Sequence, residues 1–410
     1  MRVLFCATPG EGHVRALLPL LQAMHARGHA LAWAGALETH ALVQSHAPVP
    51  CHDAGPGWQS ARFHLFGRWP ELAGARGTDA AARIFPRLYG AVIAAKMLVP
   101  LQAAIAAFEP DLVVGENAAL AVPLAAQVAG CPHVTQGFGM PLPTHRVEEA
   151  ATQLASAWQR LAGTAPPADA GLYRHLFLDI CPPSLQPEPL PASLPAHPLQ
   201  PVEVMAAPVP LSLLVPRALA EQHELPLVYL SLGTMLNRPD LLRTVLAALS
   251  GLPLRVVVAT GPDIEPAQLQ PLPPLVHAQR HVPQAALLPH CQLVISHGGA
   301  GTVYAAAAHG LPQLALPQMA EQFLNTAALE HSNAGMVLLG AEQNLYAIRH
   351  AVQQLLSETA FRSTAGRLAQ EIAHMPSANE VVQQLERWIE LGQPVPLPPR
   401  RTGVAFRLPA

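Results

Sequence analysis

Short apolar runs alternate along the chain with stretches in which apolar residues recur every three or four positions. Residues 3–7 form such a run, and apolar residues over 14–24 follow at the second spacing. Runs of this length predict buried strands, whereas a period near 3.6 predicts amphipathic helices. Further strand-like runs lie at 29–34, 110–116 and 133–136. The first part of the chain is therefore predicted to form a parallel α/β sheet.

The second part of the chain repeats this arrangement. Its strand-like runs lie at 227–231, 254–259, 276–282, 293–296 and 313–316, and a last helix is predicted at 378–391. Proline is dense over 181–226, which predicts a linker between two domains, with the boundary near residue 215. We therefore expect two α/β domains at 1–215 and 216–392, and a proline-rich tail at 393–410.

Three segments of the first domain depart from clear periodicity. Residues 48–78 are rich in glycine, proline and aromatics and are predicted to form long loops, and residues 138–170 contain no recognisable motif. Aromatic residues in loops either line an apolar pocket or cover the domain's own core, and both alternatives stay open. The helical pattern at 79–108 is expected to be interrupted at Pro86 and at Pro100.

Composition narrows the class of protein. At 410 residues the chain is too long for a typical single core. Half of its residues are hydrophobic and its net charge is −3, so no nucleic acid is expected as a partner. The five cysteines lack C-x-x-C spacing, which favours reduced thiols in a cytoplasmic protein. The apolar runs are too short for a signal peptide or a transmembrane segment.

The most informative stretch is a glycine turn between an apolar run and an alanine-rich helix. Its sequence is His-Gly-Gly-Ala-Gly-Thr at 297–302. Glycines let the backbone approach a ligand, and the first turn of a helix offers N–H groups and a positive dipole to phosphate. A P-loop would need a lysine here, but Lys96 is the only lysine of the chain, and Tyr304 stands where a dinucleotide motif needs its third glycine. A turn without a ligand remains the alternative.

Together with Gly-Leu-Pro-Gln at 310–313 and the segment 317–325, this turn resembles the donor-sugar signature of GT-B glycosyltransferases. The resemblance is to bacterial enzymes that glycosylate natural products, relatives of the UDP-glucuronosyl and plant flavonoid transferases, and it covers nearly the whole chain. It implies an α/β protein of two Rossmann-like domains that face a central cleft, with the acceptor bound by the first domain and the nucleotide sugar by the second.

The resemblance also implies which residues bind the donor. The His-Gly-Gly segment would hold the diphosphate, an acidic residue followed by glutamine would hold sugar hydroxyls, and the backbone near 282–284 would pair with the pyrimidine base. Most relatives have aspartate where this chain has Glu321. The predicted donor-binding residues are Gly12, Ser231, Gly233, Thr234, Val282, Gln284, His297, Gly299, Ala300, Gly301, Thr302, Glu321 and Gln322.

Sugar transfer to a hydroxyl needs a base, and His13 is the candidate. It follows the first strand in the order Gly10-x-Gly12-His13, as in the resembled family, and the start of a helix disfavours the imidazolium. Glu116 is the candidate partner that would orient the ring and stabilise its charge. Relatives usually have aspartate there, after a Pro-Asp-Leu-Val-Val-like run that 110–114 matches. A capping or surface histidine is the alternative for His13.

No metal and no other cofactor is expected. The sequence contains no Asp-x-Asp and no His/Cys cluster with metal-ligand spacing. His297, Thr302 and the helix N-terminus would stabilise the departing diphosphate instead. Inversion at the anomeric carbon follows from the resemblance, because a single displacement inverts.

The sequence therefore predicts an inverting, metal-independent glycosyltransferase whose partners are a nucleotide sugar and an apolar small-molecule acceptor, such as the aglycone of a natural product. A nucleotide-sugar epimerase of the same shape and a catalytically silent helper of another enzyme are the alternatives. Assembly as a homodimer is left open.

The nucleotide of the donor is predicted from one position. Many UDP-sugar relatives carry Gly-Thr-x-x-Glu after the His-Gly-Gly turn, and that carboxylate can accept hydrogen bonds from both ribose hydroxyls. Here Ala305 occupies the position of the glutamate. A ribose would leave its 2′-hydroxyl without this partner, whereas a deoxyribose has no such group, so a dTDP-sugar is favoured over a UDP-sugar. A neutral packing choice in an alanine-rich helix is the alternative.

Overall fold

The computed structural model describes residues 1–75, 77–186, 190–191, 193–202, 209–233 and 238–392. The predicted donor residue Thr234 and the proline-rich tail at 393–410 lie outside these residues.

The chain forms two compact units. Apart from the gaps just given, the first takes in 1–181, 190–201 and 375–392, and the second takes in 182–186 and 202–374. The change of unit thus comes earlier than the predicted boundary near 215. The reason is that Leu211, Leu214, Val215 and Leu219 pack on the core of the second unit.

The first unit is built on a parallel sheet of seven strands in the described residues, ordered β3-β2-β1-β4-β5-β6-β7. The strands are β1 Arg2–Cys6, β2 Ala30–Gly35, β3 Cys51–Asp53, β4 Leu112–Glu116, β5 His133–Gln136, β6 Leu176–Asp179 and β7 Ala196–Pro198. β1 and β4 are neighbours, with Cys6 beside Gly115. Residues that follow these two strands therefore lie at the same edge of the sheet.

The helices of the first unit are α1 Glu11–Ala26, α2 His40–Gln44, α3 Trp58–Arg68, α4 Gly77–Phe85, α5 Ala95–Phe108, α6 Ala121–Ala129, α7 Thr144–Gln153, α8 Ala155–Ala162 and, from the end of the chain, α16 Ala378–Leu391. The prediction that 48–78 forms only loops is wrong, because α3 lies within it. Only Ala61 and Leu65 of α3 are fully buried, so its sequence carries little periodicity.

The helical run from α4 to the end of α5 is not interrupted at Pro86 or at Pro100, contrary to the prediction. Residues Pro86–Ala94 continue the helix with wider, π-helical turns, and Pro100 lies inside α5. Within the described residues, the run Ala80–Phe108 is long and apolar enough to cross a membrane by length and composition. Such a helix was not expected from the sequence. Leu88, Val92 and Leu101 of this run are buried in the core of the first unit.

Helix α16 packs against α1 and secures the end of the chain to the first unit. The Glu386 carboxylate accepts hydrogen bonds from the Arg27 guanidinium at 2.6 and 3.0 Å, and it lies 2.9 Å from Nε2 of His29. Ser377 caps the helix, since its hydroxyl accepts a hydrogen bond from the backbone N–H of Glu380.

The second unit is also built on a parallel sheet, with six strands in the described residues ordered β10-β9-β8-β11-β12-β13. The strands are β8 Leu227–Ser231, β9 Arg255–Ala259, β10 Val276–Gln279, β11 Leu293–Ser296, β12 Gln313–Ala315 and β13 Gly335–Val337. The helices are α9 Arg217–Ala220, α10 Pro239–Leu249, α11 Gln284–Leu287, α12 Ala300–Ala308, α13 Gln322–His331, α14 Leu345–Ser357 and α15 Thr359–Ala373. β8 and β11 are neighbours, so Ser231 lies beside Ser296.

All five cysteines are free thiols, as the sequence predicts. Cys6, Cys181 and Cys291 are buried. Burial raises the pKa of Cys291 to about 12, so this thiol stays protonated and unreactive at neutral pH.

A pair of histidines, His133 buried and His175 partly buried, lies at the starts of the neighbouring strands β5 and β6. The Nδ1 atoms of His133 and His175 are 3.1 Å apart, and Nε2 of His133 lies 3.0 Å from the carbonyl oxygen of Gly171. Burial, and then the neighbouring His175, lower the pKa of His133 from 6.5 to about 4. Burial also lowers the pKa of His175. Between pH 6.5 and 4, His133 therefore binds a proton less readily in the folded unit than in the unfolded chain.

This pair predicts acid sensitivity. Because the folded-state pKa of His133 is lowered, its contribution to stability is complete above pH 6.5 and falls by about 1.4 kcal/mol per pH unit below it. In urea unfolding at pH 7 and pH 5, His133→Gln should lose less stability between the two pH values than the wild type. His64→Gln, at an exposed position, should lose as much stability between the two pH values as the wild type does. Equal losses in all three proteins would contradict the prediction.

Candidate active site

His13 lies in the first turn of α1, just beyond the end of β1. The chain enters the helix through Gly10, whose φ of 130° is open to glycine but strained for other residues. The backbone N–H of His13 donates to the carbonyl oxygen of Gly10 at 3.1 Å. The His13 side chain is 12% exposed, so ligands can reach the ring.

Glu116 is the last residue of β4, at the end of the predicted run 110–116. Its Oε2 atom lies 3.3 Å from Nδ1 of His13, so the structure brings the two predicted catalytic residues into contact. The Glu116 carboxylate accepts hydrogen bonds from the backbone N–H and hydroxyl of Thr8, at 3.1 and 2.6 Å, and from the N–H of Ala118 at 2.6 Å. These contacts fix the carboxylate in place.

The contacts also decide the charge of Glu116. Burial acts to raise the pKa of this carboxyl, but the charge and hydrogen bond of His13, together with the hydrogen bonds from Thr8 and Ala118, lower the pKa below its ordinary value. Glu116 is therefore ionised at neutral pH although its side chain is fully buried.

Two aromatic rings lie against the imidazole of His13. The Phe138 ring is 4.1 Å away between centroids, and the Tyr89 ring is 5.6 Å away. The Tyr89 hydroxyl lies 3.2 Å from Nε2 of His13. The base candidate is thus surrounded by a carboxylate on one nitrogen, a phenol on the other, and apolar ring surface.

In the second unit, the glycine turn joins β11 directly to α12. Gly298 has a φ of +80°, and a β-carbon there would clash with the side chain of Thr326. Its N–H donates to the hydroxyl of Ser296 at 3.1 Å, and its carbonyl oxygen accepts from Nδ2 of Asn325 at 3.0 Å. Both peptide groups of the turn are therefore held at fixed orientations. A β-carbon at Gly301 would meet no atom within 4 Å, so the space beside this residue is open.

The imidazole of His297 lies against two of the predicted glycines. A β-carbon at Gly233 would come within 2.7 Å of its Nε2 atom, and one at Gly299 within 2.5 Å. Only glycine leaves room for the ring at these two positions. Burial lowers the pKa of His297 to about 4, and a backbone hydrogen bond with Ser231 acts in the opposite direction. The ring is therefore neutral at pH 7.

The other residues of the predicted donor site differ in their burial. Close to the turn, the Thr302 hydroxyl lies 3.5 Å from Oε1 of Gln284. In contrast, the side chain of Val282 is buried in the core of the second unit. Ser231 ends β8, and its hydroxyl accepts from the N–H of Gly233 at 3.4 Å. Ala300 is the first residue of α12.

Gln322 is the first residue of α13, and Glu321 directly precedes the helix. The Oε1 atom of Gln322 accepts hydrogen bonds from the backbone N–H groups of Gln318 and Met319, at 2.9 and 3.1 Å, so this side chain shapes the loop before the helix. Ala320 in that loop has a φ of 54°, a strained conformation for a residue with a β-carbon. Glu321 is partly exposed. Gly12 lies in the first unit beside His13, and a β-carbon there would meet no atom within 4 Å.

Sequence reasoning predicts no role for Thr8, Tyr89, Phe138 or Asn325. Asn325 closes the segment that resembles the family signature, which is the one signal that could have found it. Thr8 and Tyr89 are 108 and 76 positions from the residues they contact, and no local motif marks them. Among the residues that the structure describes, no group of three or more histidine, cysteine, aspartate or glutamate side chains could hold a metal ion.

Comparison with known proteins identifies the family. Residues 64–203 match the N-terminal domain of the erythromycin biosynthesis protein CIII-like family, and residues 243–388 match its C-terminal domain. The chain belongs to this family. It is a glycosyltransferase of natural-product biosynthesis with the GT-B fold.

Known glycosyltransferases resemble this chain over nearly its whole length. L-demethylnoviosyl transferase from Streptomyces niveus is 31% identical over 94% of this chain and 97% of its own. Elloramycin glycosyltransferase ElmGT from Streptomyces olivaceus shows the same identity and coverage. The solved structure of spinosyn rhamnosyltransferase SpnG superimposes with a TM-score of 0.76 at 26% identity, covering 94% of this chain and all of that one, and SpnG has also been solved complexed with thymidine diphosphate.

Proposed function

We propose that this CIII-like glycosyltransferase transfers a sugar, with inversion and without a metal ion, from a dTDP-sugar to a hydroxyl of an apolar small molecule. The observation that carries the proposal is the contact between Nδ1 of His13 and the ionised, buried Glu116. A histidine held in this way is arranged to take a proton at its other nitrogen. Membership of a glycosyltransferase family favours this function over the epimerase and over the silent helper.

The reaction is a single displacement. The acceptor oxygen attacks the anomeric carbon while the bond from that carbon to the diphosphate breaks. The acceptor's proton moves to Nε2 of His13, and the Glu116 carboxylate stabilises the imidazolium that forms. The nucleotide diphosphate leaves with the bonding electrons. Attack from the face opposite the leaving group inverts the anomeric carbon.

The diphosphate would be held by the glycine turn of the second unit. The first N–H groups of α12 carry the positive end of the helix dipole, and the space beside the Cα of Gly301 in this turn is open. His297 and Thr302 stand at this turn and can donate hydrogen bonds. We expect these groups to stabilise the developing charge, so a divalent cation is not required.

The acceptor is proposed to be apolar because aromatic rings surround the proposed base. Phe138 and Tyr89 lie against His13, and both are only partly buried. An apolar acceptor that covers these rings would also remove water from the reacting hydroxyl.

A dTDP-sugar is favoured as the donor on two grounds. Thymidine diphosphate is the nucleotide found complexed with spinosyn rhamnosyltransferase SpnG. In addition, Ala305 is 8% exposed and packs among apolar residues, so no carboxylate is available at this position to bind the ribose hydroxyls of a UDP-sugar.

We therefore expect dTDP to bind more tightly than UDP. Loss of one hydrogen-bond partner for the 2′-hydroxyl should weaken the binding of UDP by about 0.5–1.5 kcal/mol, which lowers its affinity about two- to twelvefold. Competitive titration calorimetry with dTDP, UDP and dUDP measures this difference, and dUDP separates the effect of the deoxyribose from that of the base. Tighter binding of UDP than of either deoxynucleotide would contradict the dTDP assignment.

A further inference from the structure

The proposed base already carries a hydroxyl where the acceptor's hydroxyl would bind. Glu116 is ionised and contacts Nδ1 of His13, so the proton of the neutral ring lies on Nδ1. Nε2 then presents its lone pair. The Tyr89 hydroxyl lies 3.2 Å from this atom, and with the ring in this tautomer the hydroxyl is the donor of the hydrogen bond. A phenol of the protein thus makes the interaction that the reaction assigns to the acceptor.

The backbone around Tyr89 is fixed, whereas its side chain reaches a partly exposed site. Tyr89 belongs to the π-helical stretch Pro86–Ala94, and π-helical turns occur frequently at functional sites. This stretch packs closely on α7, because a β-carbon at Gly90 would lie 2.8 Å from the carbonyl oxygen of Ala150. The Tyr89 ring has the ring of Phe85 at 5.0 Å as its neighbour. Because the helix is packed against α7, we expect release of Nε2 to come from a change of the Tyr89 side-chain rotamer.

We propose that Tyr89 is a positioning residue that covers Nε2 of His13 until the acceptor hydroxyl replaces it. This inference rests on the proposed role of His13 as the base. Acceptor binding is weakened by this cover, since the acceptor must displace the Tyr89 hydrogen bond. In return, water cannot occupy the same position while Tyr89 covers it.

Without this cover, water becomes a competing acceptor. The water oxygen would attack the anomeric carbon, the bond to the diphosphate would break, and the water proton would move to Nε2 of His13. The products would be free sugar and nucleotide diphosphate, and the donor would be lost without transfer.

Tyr89→Phe tests the inference because it removes only the hydroxyl. We expect hydrolysis of the donor in the absence of acceptor to rise about three- to tenfold, as for loss of one competing hydrogen bond. The KM of the acceptor should fall by a similar factor, and kcat for transfer should stay within about twofold of the wild type. The matched control is Tyr173→Phe, a partly buried tyrosine of the same unit whose ring contacts Phe177. It should leave both the hydrolysis rate and the acceptor KM unchanged.

The remaining outcomes overturn the inference. Unchanged hydrolysis and KM in Tyr89→Phe would show that the hydroxyl does not cover the base. A lower kcat with unchanged hydrolysis and KM would show instead that Tyr89 supports the structure or relays the proton. Thermal unfolding of both variants separates loss of folding from loss of function, and Tyr89→Leu repeats the test if Tyr89→Phe unfolds. If His13 is not the base, His13→Ala will retain transfer, and this result does not depend on the outcome for Tyr89→Phe.

Discussion

Replacing His13 by alanine is expected to lower the turnover of sugar transfer by about two to four orders of magnitude, the usual range for loss of a general base. The affinity for nucleotide should stay near that of the wild type, because the predicted nucleotide-binding residues of the glycine turn belong to the second unit. Steady-state kinetics and titration calorimetry measure the two quantities. A variant that keeps more than about a tenth of the wild-type turnover would refute the base assignment.

Two further variants sharpen this prediction. His25→Ala changes an exposed histidine of the same helix and should behave as the wild type. Glu116→Gln keeps a group that can orient the ring but removes the charge that stabilises the imidazolium, so its loss of turnover should be smaller than that of His13→Ala. A loss equal to that of His13→Ala would indicate that the carboxylate charge is as important as the base.

Replacing His297 by alanine is expected to weaken the binding of dTDP by about tenfold to a hundredfold, together with turnover. The ring is neutral at pH 7 and lies in the turn that is proposed to hold the diphosphate. Losing a hydrogen bond to a charged group costs about 1.5–3 kcal/mol, which corresponds to this range of affinity.

Titration calorimetry with dTDP is the measurement for His297→Ala. His350→Ala, at an exposed position on α14, is the control and should bind as the wild type does. Since the ring fills space beside Gly233 and Gly299, thermal unfolding should accompany the titration. Unchanged affinity in a folded His297→Ala variant would move the phosphate site away from the glycine turn.

The elements that the sequence predicts best are those whose pattern is decided locally. The strands 227–231 and 293–296 and the helix 378–391 have the predicted bounds, because continuous apolar runs and a clear helical period leave few alternatives. Helix α3 is the opposite case. Its partly buried Trp58 and Phe66 only pack at the edge of the core, so the helical period is hidden.

The contacts of the candidate active site likewise include some that the sequence predicts and some that depend on packing. The contact of His13 with Glu116 could be predicted, because His13 follows β1, Glu116 ends β4, and a parallel sheet brings the ends of these strands to one edge. The contact of Tyr89 with His13 could not, because it depends on the wider turns of Pro86–Ala94 and on how that stretch packs on α7. The hydrogen bond from Asn325 to Gly298 likewise depends on the return of α13 to the turn.

The central claim is inverting, metal-independent transfer with His13 as the base, and the anomeric configuration of the first product tests it most directly. The purified protein would be given dTDP-sugars of known anomeric configuration and a panel of apolar hydroxyl acceptors, in the presence of EDTA. The glycoside would be analysed by proton NMR. The account predicts a glycoside of inverted configuration, formed at an undiminished rate in EDTA and lost in His13→Ala. A product of retained configuration, or transfer that requires a divalent cation, would contradict it.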